Sequence, residues 1–289
     1  MKEDKIKWII LIFLALVWGS SFILMKKALL GFTQLQLGAF RILISATFLL
    51  IIGQHKIKEI KKRHWPYIAV TSIIATFFPV FFFAFALNEL DSSISAILNS
   101  LTPFNTFIIG VMFFGYSLKR GQMIGIFIGL VGTVILILKG ASLNPNQNYW
   151  FVLLVMISSV GYALNVNIVK KHLQDLSALA IVTGNFLLLI IPTLFVLWYS
   201  DFFSIKWDKS TYNATVYVVL LALLGTGIAK ILFNKLVQIS TPVFSSSVTY
   251  LIPVVAVFWG VIDGEKLSIE QFLAAGVILF GVYLVNKKK

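Results

Sequence analysis

Two cationic side chains stand inside otherwise apolar stretches of this chain: Arg41, within Gln-Leu-Gly-Ala-Phe-Arg-Ile-Leu-Ile, and Lys230, within Gly-Thr-Gly-Ile-Ala-Lys-Ile-Leu-Phe-Asn. On insertion scales a charge at the centre of a lipid-spanning helix costs about 2.5–3.5 kcal/mol, so each instance calls for a reason. Thr226, Lys230 and Asn234 recur every four residues, which groups them on one side of a helix. A polar stripe carrying one cation could meet a carboxylate or a phosphate. The plainer alternatives are a lysine snorkelling to the headgroups and an arginine that hydrogen-bonds carbonyls between helices.

Smaller polar side chains follow the same spacing. Ser95, Asn99, Thr102 and Thr106 lie four, three and four residues apart; Ser158, Tyr162 and Asn165 follow at four and three. Ser246, Thr249 and Tyr250 precede Pro253, and the first of these sets surrounds Pro103. A proline inside a helix frees a carbonyl one turn earlier and bends the rod, and interrupted segments at matching places of two halves point to a binding site. The plainer reading is interhelical glue, worth about 0.6 kcal/mol per residue. Trp18, with Ser21 nearby, supplies either an aromatic wall or simple packing. The candidate binding set is Trp18, Ser21, Asn99, Thr102, Tyr162, Asn165, Lys230, Asn234, Ser246 and Tyr250, with Arg41, Pro103 and Pro253 as structural or pathway residues.

These residues need helices in lipid to position them. Of 289 residues, 59% are hydrophobic and 12% charged, with a mean hydropathy of +0.94; a soluble domain is about a quarter charged. Ten stretches reach the roughly 20 apolar residues a spanning helix needs: Trp8–Met25, Thr33–Gly53, Pro66–Leu87, Ser93–Gly115, Gln122–Leu138, Tyr149–Val169, Ser177–Tyr199, Ala214–Leu236, Val243–Asp263 and Ser268–Val285. The first is read as a retained helix, because no small-residue cleavage site follows it. The net charge of +13 comes from short basic clusters between apolar runs, which set orientation and do not form a nucleic-acid patch. With the N-terminus inside, 16 lysines and arginines fall in inner segments and 6 in outer loops, so both termini are expected in the cytoplasm. His55, His64 and His172 fall in inner loops, most simply solvated, and no metal site is expected.

The chain also repeats itself at about 145 residues. Trp18 to Lys27 aligns with Tyr162 to Lys171, Gly115-Tyr116-Ser117-Leu118 with Gly264-Glu265-Lys266-Leu267, and Gln122 with Gln271. Pro103 and Pro253 fall one residue out of that register. Each half, 1–140 and 145–289, carries five spans, an odd number, so the second enters the bilayer from the opposite side. Inverted repeats of this kind belong to alternating-access carriers.

The Trp-Gly-Ser-Ser-Phe segment from Trp18, the Phe40-Arg41 pair and the Gly264-Glu265-Lys266-Leu267 turn resemble EamA-type transporters of the drug/metabolite transporter superfamily. The resemblance covers essentially the whole chain as two consecutive five-helix units. It implies a plasma-membrane carrier exporting or importing small polar metabolites such as amino acids, often without a fixed substrate; this chain is read as an exporter, a monomer or homodimer without a cofactor. Tyr116 departs from the pattern, since the first half would ordinarily carry the glutamate seen at Glu265. That glutamate is expected to cap a helix or join an interface, so that its loss touches stability more than chemistry.

Absences narrow the reading further. No carboxylate lies deep in a span: Glu89, Asp91, Asp263 and Glu265 stand at ends. Proton-driven carriers commonly relay through buried acids or histidines, so a facilitator or exchanger is favoured over a proton symporter. No phosphate-binding loop and no intramembrane nucleophile, acid pair or metal set points to ATP drive or catalysis. Without cysteine, disulfide and thiol chemistry are excluded. A pore or a membrane sensor is the alternative class. Gly121, Gly125 and Gly129 form a small-residue ladder for close helix packing, and the run from Phe77 to Phe83 faces either lipid or a cavity.

Overall fold

Lipid offers the backbone no hydrogen-bond partners, so an apolar segment satisfies its peptide groups internally as a helix. Every regular element among the described residues is helical. The computed structural model of the protein describes residues 2–115, 120–143, 146–265 and 268–286. Tyr116, Lys119, Lys266 and Lys287 to Lys289 lie outside them. In chain order the helical rods are α1 (Lys2–Ala28), α2 (Gln34–Gly53), α3 (Lys62–Glu89), α4 (Ser92–Phe114) and α5 (Arg120–Leu143). They continue as α6 (Val152–His172), α7 (Ala178–Tyr199), α8 (Lys209–Ile239), α9 (Pro242–Ile262) and α10 (Ile269–Asn286). Eight stretches among the described residues are long and apolar enough to cross a membrane; the shorter apolar helices Met123–Lys139 and Ile269–Gly281 fall within α5 and α10.

Local chemistry sets the ends. Thr33 and Gln36 form a reciprocal capping box at the start of α2, Ser177 caps α7, Asp208 caps α8 and Thr241 caps α9; each side-chain oxygen satisfies an orphan N–H of a first turn. Gly115 after α4 and Gly264 after α9 take φ of +79° and +88°, the left-handed conformation that glycine adopts without a Cβ penalty.

The interiors are irregular in pairs. α3 is π-helical over Ile73–Phe77 and α8 over Leu221–Ile228. α4 is interrupted between Ser92–Asn99 and Thr102–Phe114, and α9 between Pro242–Ser246 and Val248–Ile262. The members of each pair, like the two left-handed glycines, stand about half a chain length apart. The breaks do not fall where the prolines alone would put them. Pro103 occupies the first turn of the second half of α4, where its missing N–H costs nothing. Pro253 lies inside the continuous part of α9, and the break precedes it at Ser247.

α1 buries Leu11, Leu14, Ala15, Phe22 and Met25 against the bundle and leaves Trp8, Ile9, Ile12 and Leu16 exposed on its other face. Asn105 donates to Ser159 Oγ and Asn167 to the Thr106 carbonyl, joining α4 to α6. Ser45 joins α2 to the Ala222 carbonyl of α8. α5 and α10 pack mainly on each other: a Cβ on Gly281 would lie 2.5 Å from the Gly129 nitrogen and 2.7 Å from the Gly125 carbonyl, whereas one on Gly121 would meet nothing within 4 Å. The ladder is therefore used in two of its three rungs.

One histidine departs from expectation. His64 is 1% exposed; its Nδ1 accepts from the Lys61 N–H at 3.1 Å. Its Nε2 accepts from Arg63 Nε at 3.1 Å and lies 3.1 Å from Asp175 Oδ2. Asp175 also accepts from Arg63 at 2.5 Å, and this bond first of all holds its carboxyl below the usual carboxylate range. His64 is thus a buried tie between segments. His172 stacks on Tyr67 with ring centroids 4.1 Å apart.

Candidate binding cavity

A cavity of about 120 Å³ lies where α1, α2, α3, α4, α6, α8 and α9 meet. Its walls come from the middle portions of those helices, and the irregular stretches of α3, α4, α8 and α9 all reach it. A π-turn or a break leaves carbonyls without their helical partner. Two such carbonyls are used here: Trp18 Nε1 donates to the Gly225 carbonyl at 2.8 Å, and Lys230 Nζ donates to the Ala75 carbonyl at 2.8 Å.

The cationic part of the wall is built from α2 and α8. Arg41 is 8% exposed and its Nε donates to Thr226 Oγ1 at 2.7 Å. Thr226 is one turn before Lys230, so both cations work along the same face of α8. Lys230 completes its contacts on Thr76 Oγ1 at 2.8 Å. Among the described residues, the lining holds these two cations and no aspartate, glutamate or histidine.

The hydroxyls nearby give up their protons to their own helices. Ser21 donates to the Val17 carbonyl, Thr102 to Asn99, Ser246 to Val243 and Thr249 to Ser246. What the wall then offers an incoming solute is dominated by ammonium and guanidinium N–H groups and by the amides of Asn99 and Asn165 and the phenol of Tyr162. The remainder is apolar. Phe22 meets Phe83 edge-on at 5.7 Å, Phe83 lies against Tyr162 at 6.2 Å, and Trp18 meets Phe233 at 5.1 Å.

Of the candidate binding and pathway residues, Trp18, Ser21, Arg41, Asn99, Thr102, Tyr162, Asn165, Lys230 and Ser246 line this cavity. Four others do not. Asn234 is buried outside the lining, one turn beyond Lys230. Tyr250 packs against the apolar core formed around Ile252 and Ala256. Pro103 and Pro253 are buried behind the wall. The Thr76 hydroxyl, the Ala75 and Gly225 carbonyls and Phe233 were not legible in the spacing, since nothing in an apolar run marks where a helix widens to π. In the Phe77 to Phe83 run, Pro79, Val80 and Phe83 line the cavity, while Phe78 is exposed.

A second polar cluster lies at the far end of α1. The Glu265 carboxylate accepts the backbone N–H and the hydroxyl of Ser92 at 2.8 and 2.6 Å, and those of Ser93 at 3.1 and 2.7 Å. It also accepts from Lys26 Nζ at 2.9 Å. Burial pushes this carboxyl up, but the bonds from Ser92, Ser93 and Lys26 outweigh burial and hold it below the usual carboxylate range. Glu265 caps α4 from another part of the chain, and Lys27 pairs with Asp263 beside it. The cluster ties α1, α4 and the end of α9 together.

With this architecture described, comparison with known proteins is direct. The model of the EamA-like transporter family matches residues 6–138 and again residues 149–287. The chain belongs to that family. It is similar to an uncharacterized transporter of Archaeoglobus fulgidus, 23% identical over 98% of this chain and 99% of the relative. It is also similar to the uncharacterized inner membrane transporter YedA of Escherichia coli K12, 26% identical over 96% and 89%. The uncharacterized transporter YvbV of Bacillus subtilis is 23% identical over 97% and 91%. A solved structure titled only as the crystal structure of a protein superimposes with a TM-score of 0.68 at 17% identity, over 96% of this chain and 94% of that one; it establishes likeness of fold alone. This EamA-family chain is a multi-pass membrane transporter.

Proposed function

We propose that this EamA-family protein is a secondary carrier that moves a small metabolite bearing a carboxylate or other anionic head, amino acids included, across the plasma membrane by alternating access. The observation that carries this reading is the cavity itself: two cations, buried Arg41 and half-buried Lys230, among amide, hydroxyl and aromatic side chains, without a carboxylate among its described residues. A donor-rich site selects an acceptor-rich solute, and charge-assisted hydrogen bonds are the strong ones. The aromatic faces accommodate the solute's apolar part. With no acid among the described lining residues to couple an ion, the gradients of the carried solutes drive the cycle, which favours export of a metabolite that accumulates inside.

In this reading the chain crosses the bilayer ten times as two five-helix repeats, 1–140 and 145–289, in opposite orientation, with both termini cytoplasmic. The paired π stretches, paired breaks and paired left-handed glycines support the repeat, and the excess of lysine and arginine on one side supports the orientation.

Flux in proteoliposomes tests the proposal. A panel of radiolabelled amino acids and 2-oxo acids should give saturable uptake for at least one member, with Lys230→Met losing at least tenfold in apparent affinity for it. Uptake linear in concentration for every solute would indicate a pore and end the carrier reading. Because the chain has no cysteine, single cysteines at Lys61 and Lys206 report topology directly. An impermeant maleimide reaching both from the same side would refute the orientation.

A further inference from the structure

Resting on that carrier reading, the cavity's charge says how the cycle must turn. Arg41 and Lys230 come from different helices, α2 and α8, and face one space. Their protein partners are all neutral: Thr226 for Arg41, Ala75 and Thr76 for Lys230. The titratable group that faces them from α6 is Tyr162; among the described residues α1, α3, α4 and α9 contribute no titratable side chain to the lining. Elsewhere several cations do meet acids, Lys26 with Glu265, Lys27 with Asp263 and Arg63 with Asp175, while Lys170 rests on the Val237 and Gln238 carbonyls. Among the described residues, the cavity lining holds no acid for its two cations. A buried charge is tolerated when paired and is strongly unfavourable when its partner is removed. The missing counter-charge is then the substrate's own anionic group.

Alternating access carries the site through a state sealed from both sides. Loaded, that state sets an anion against the Arg41 guanidinium and the Lys230 amine; empty, it leaves both groups facing one space with neutral neighbours only. The barrier for the empty return is therefore higher than for the loaded passage. We infer that the protein is an obligatory anion exchanger, in which an anion must occupy the cavity on both legs of the cycle. The solute that leaves must be replaced by another small anion travelling the other way.

The test uses the full chain in proteoliposomes with radiolabelled pyruvate, 2-oxoisocaproate and succinate as probes, at one fixed pH. Initial uptake of a transported probe into vesicles preloaded with the same unlabelled anion is expected to exceed uptake into empty vesicles by at least tenfold, about 1.4 kcal/mol between the two return barriers. Lys230→Arg should keep that ratio, and Lys230→Met should bring it toward one. Saturable uptake by the wild type at equal rates into loaded and empty vesicles overturns the exchange inference and leaves the carrier reading standing. A Lys230→Met protein that transports with the wild-type ratio overturns it too. Should that variant melt normally yet carry nothing, the wild-type ratio alone decides. Failure of the amino-acid and 2-oxo-acid panel as well as these three anions to give saturable uptake overturns the carrier reading and this inference together.

Discussion

Replacing Glu265 by alanine removes a carboxylate that receives five hydrogen bonds, four of them from Ser92 and Ser93 and one from Lys26. Its side chain is 1% exposed, whereas that of Lys26 is 32% exposed. The two halves of the loss therefore differ in size. The N–H groups of Ser92 and Ser93 lose their cap inside the protein, and each buried donor left unsatisfied costs about 1–3 kcal/mol. Lys26 is partly wet, so its pairing contributes only about 0.5–1 kcal/mol after solvent screening. Together, Glu265→Ala should destabilise the protein by roughly 3–5 kcal/mol, the range for breaking a buried pair from one side. Glu265→Gln keeps one acceptor and the volume, and should cost about half as much. Reversible denaturation in detergent, followed by tryptophan fluorescence, measures both. A double-mutant cycle with Lys26→Met isolates the ion pair, with an expected coupling below about 1 kcal/mol. The pH dependence has a definite sign: the folded carboxyl is held below its unfolded value, so the stabilisation is complete above the ordinary carboxylate range and disappears as pH falls through the depressed value. Glu265→Ala within 0.5 kcal/mol of the wild type, or a contribution that grows on acidification, would refute the capping argument.

Three further outcomes can be measured in the same way. Gly281→Leu should cost about 2–4 kcal/mol by driving α10 off the Gly125 and Gly129 backbone, while Gly121→Leu, in open space, should stay within 0.5 kcal/mol. Trp18→Phe should lose about 1–3 kcal/mol with the Gly225 carbonyl left unpaired, whereas Trp259→Phe gives up only an exposed bond to Ser20 and should be near neutral. Asp175→Asn should cost under about 1 kcal/mol, because the Arg63–Asp175 pair is mostly solvated; the difference from the wild type should vanish as pH drops through the depressed carboxyl value.

Much of this molecule is written in residue spacing, for a physical reason. In lipid the backbone has one economical conformation, so long apolar runs specify helices without ambiguity, and a charge within one is costly enough to mark a site. Arg41 and Lys230 were legible on that ground, and Tyr162 and Asn165 through their spacing. The departures share a cause as well. Spacing arguments assume 3.6 residues per turn, so the Thr226, Lys230, Asn234 stripe was carried one step too far, and the widening of α3 and α8 to π left no trace in composition. Proline was the natural marker for a break, yet α9 breaks at Ser247 and runs straight through Pro253. Glu265 was expected to cap a helix or join an interface and does so, but which helix it caps could not be read from α4, since the acid is remote in the chain, and His64 looked solvated because a three-dimensional tie to Asp175 has no local signature.

The widened turns of α3 and α8 carry a mechanical consequence. A helix wound with a surplus residue in one turn can pass that surplus along to its neighbour, rotating what lies beyond it while the carbonyls freed at the wide turn are taken up by side chains. Lys230 sits just past such a turn and holds the other one by the Ala75 carbonyl. Swivelling either rod would swing the ammonium across the central space without uncoiling any backbone into lipid, a way of re-aiming a charge that a straight rod does not have.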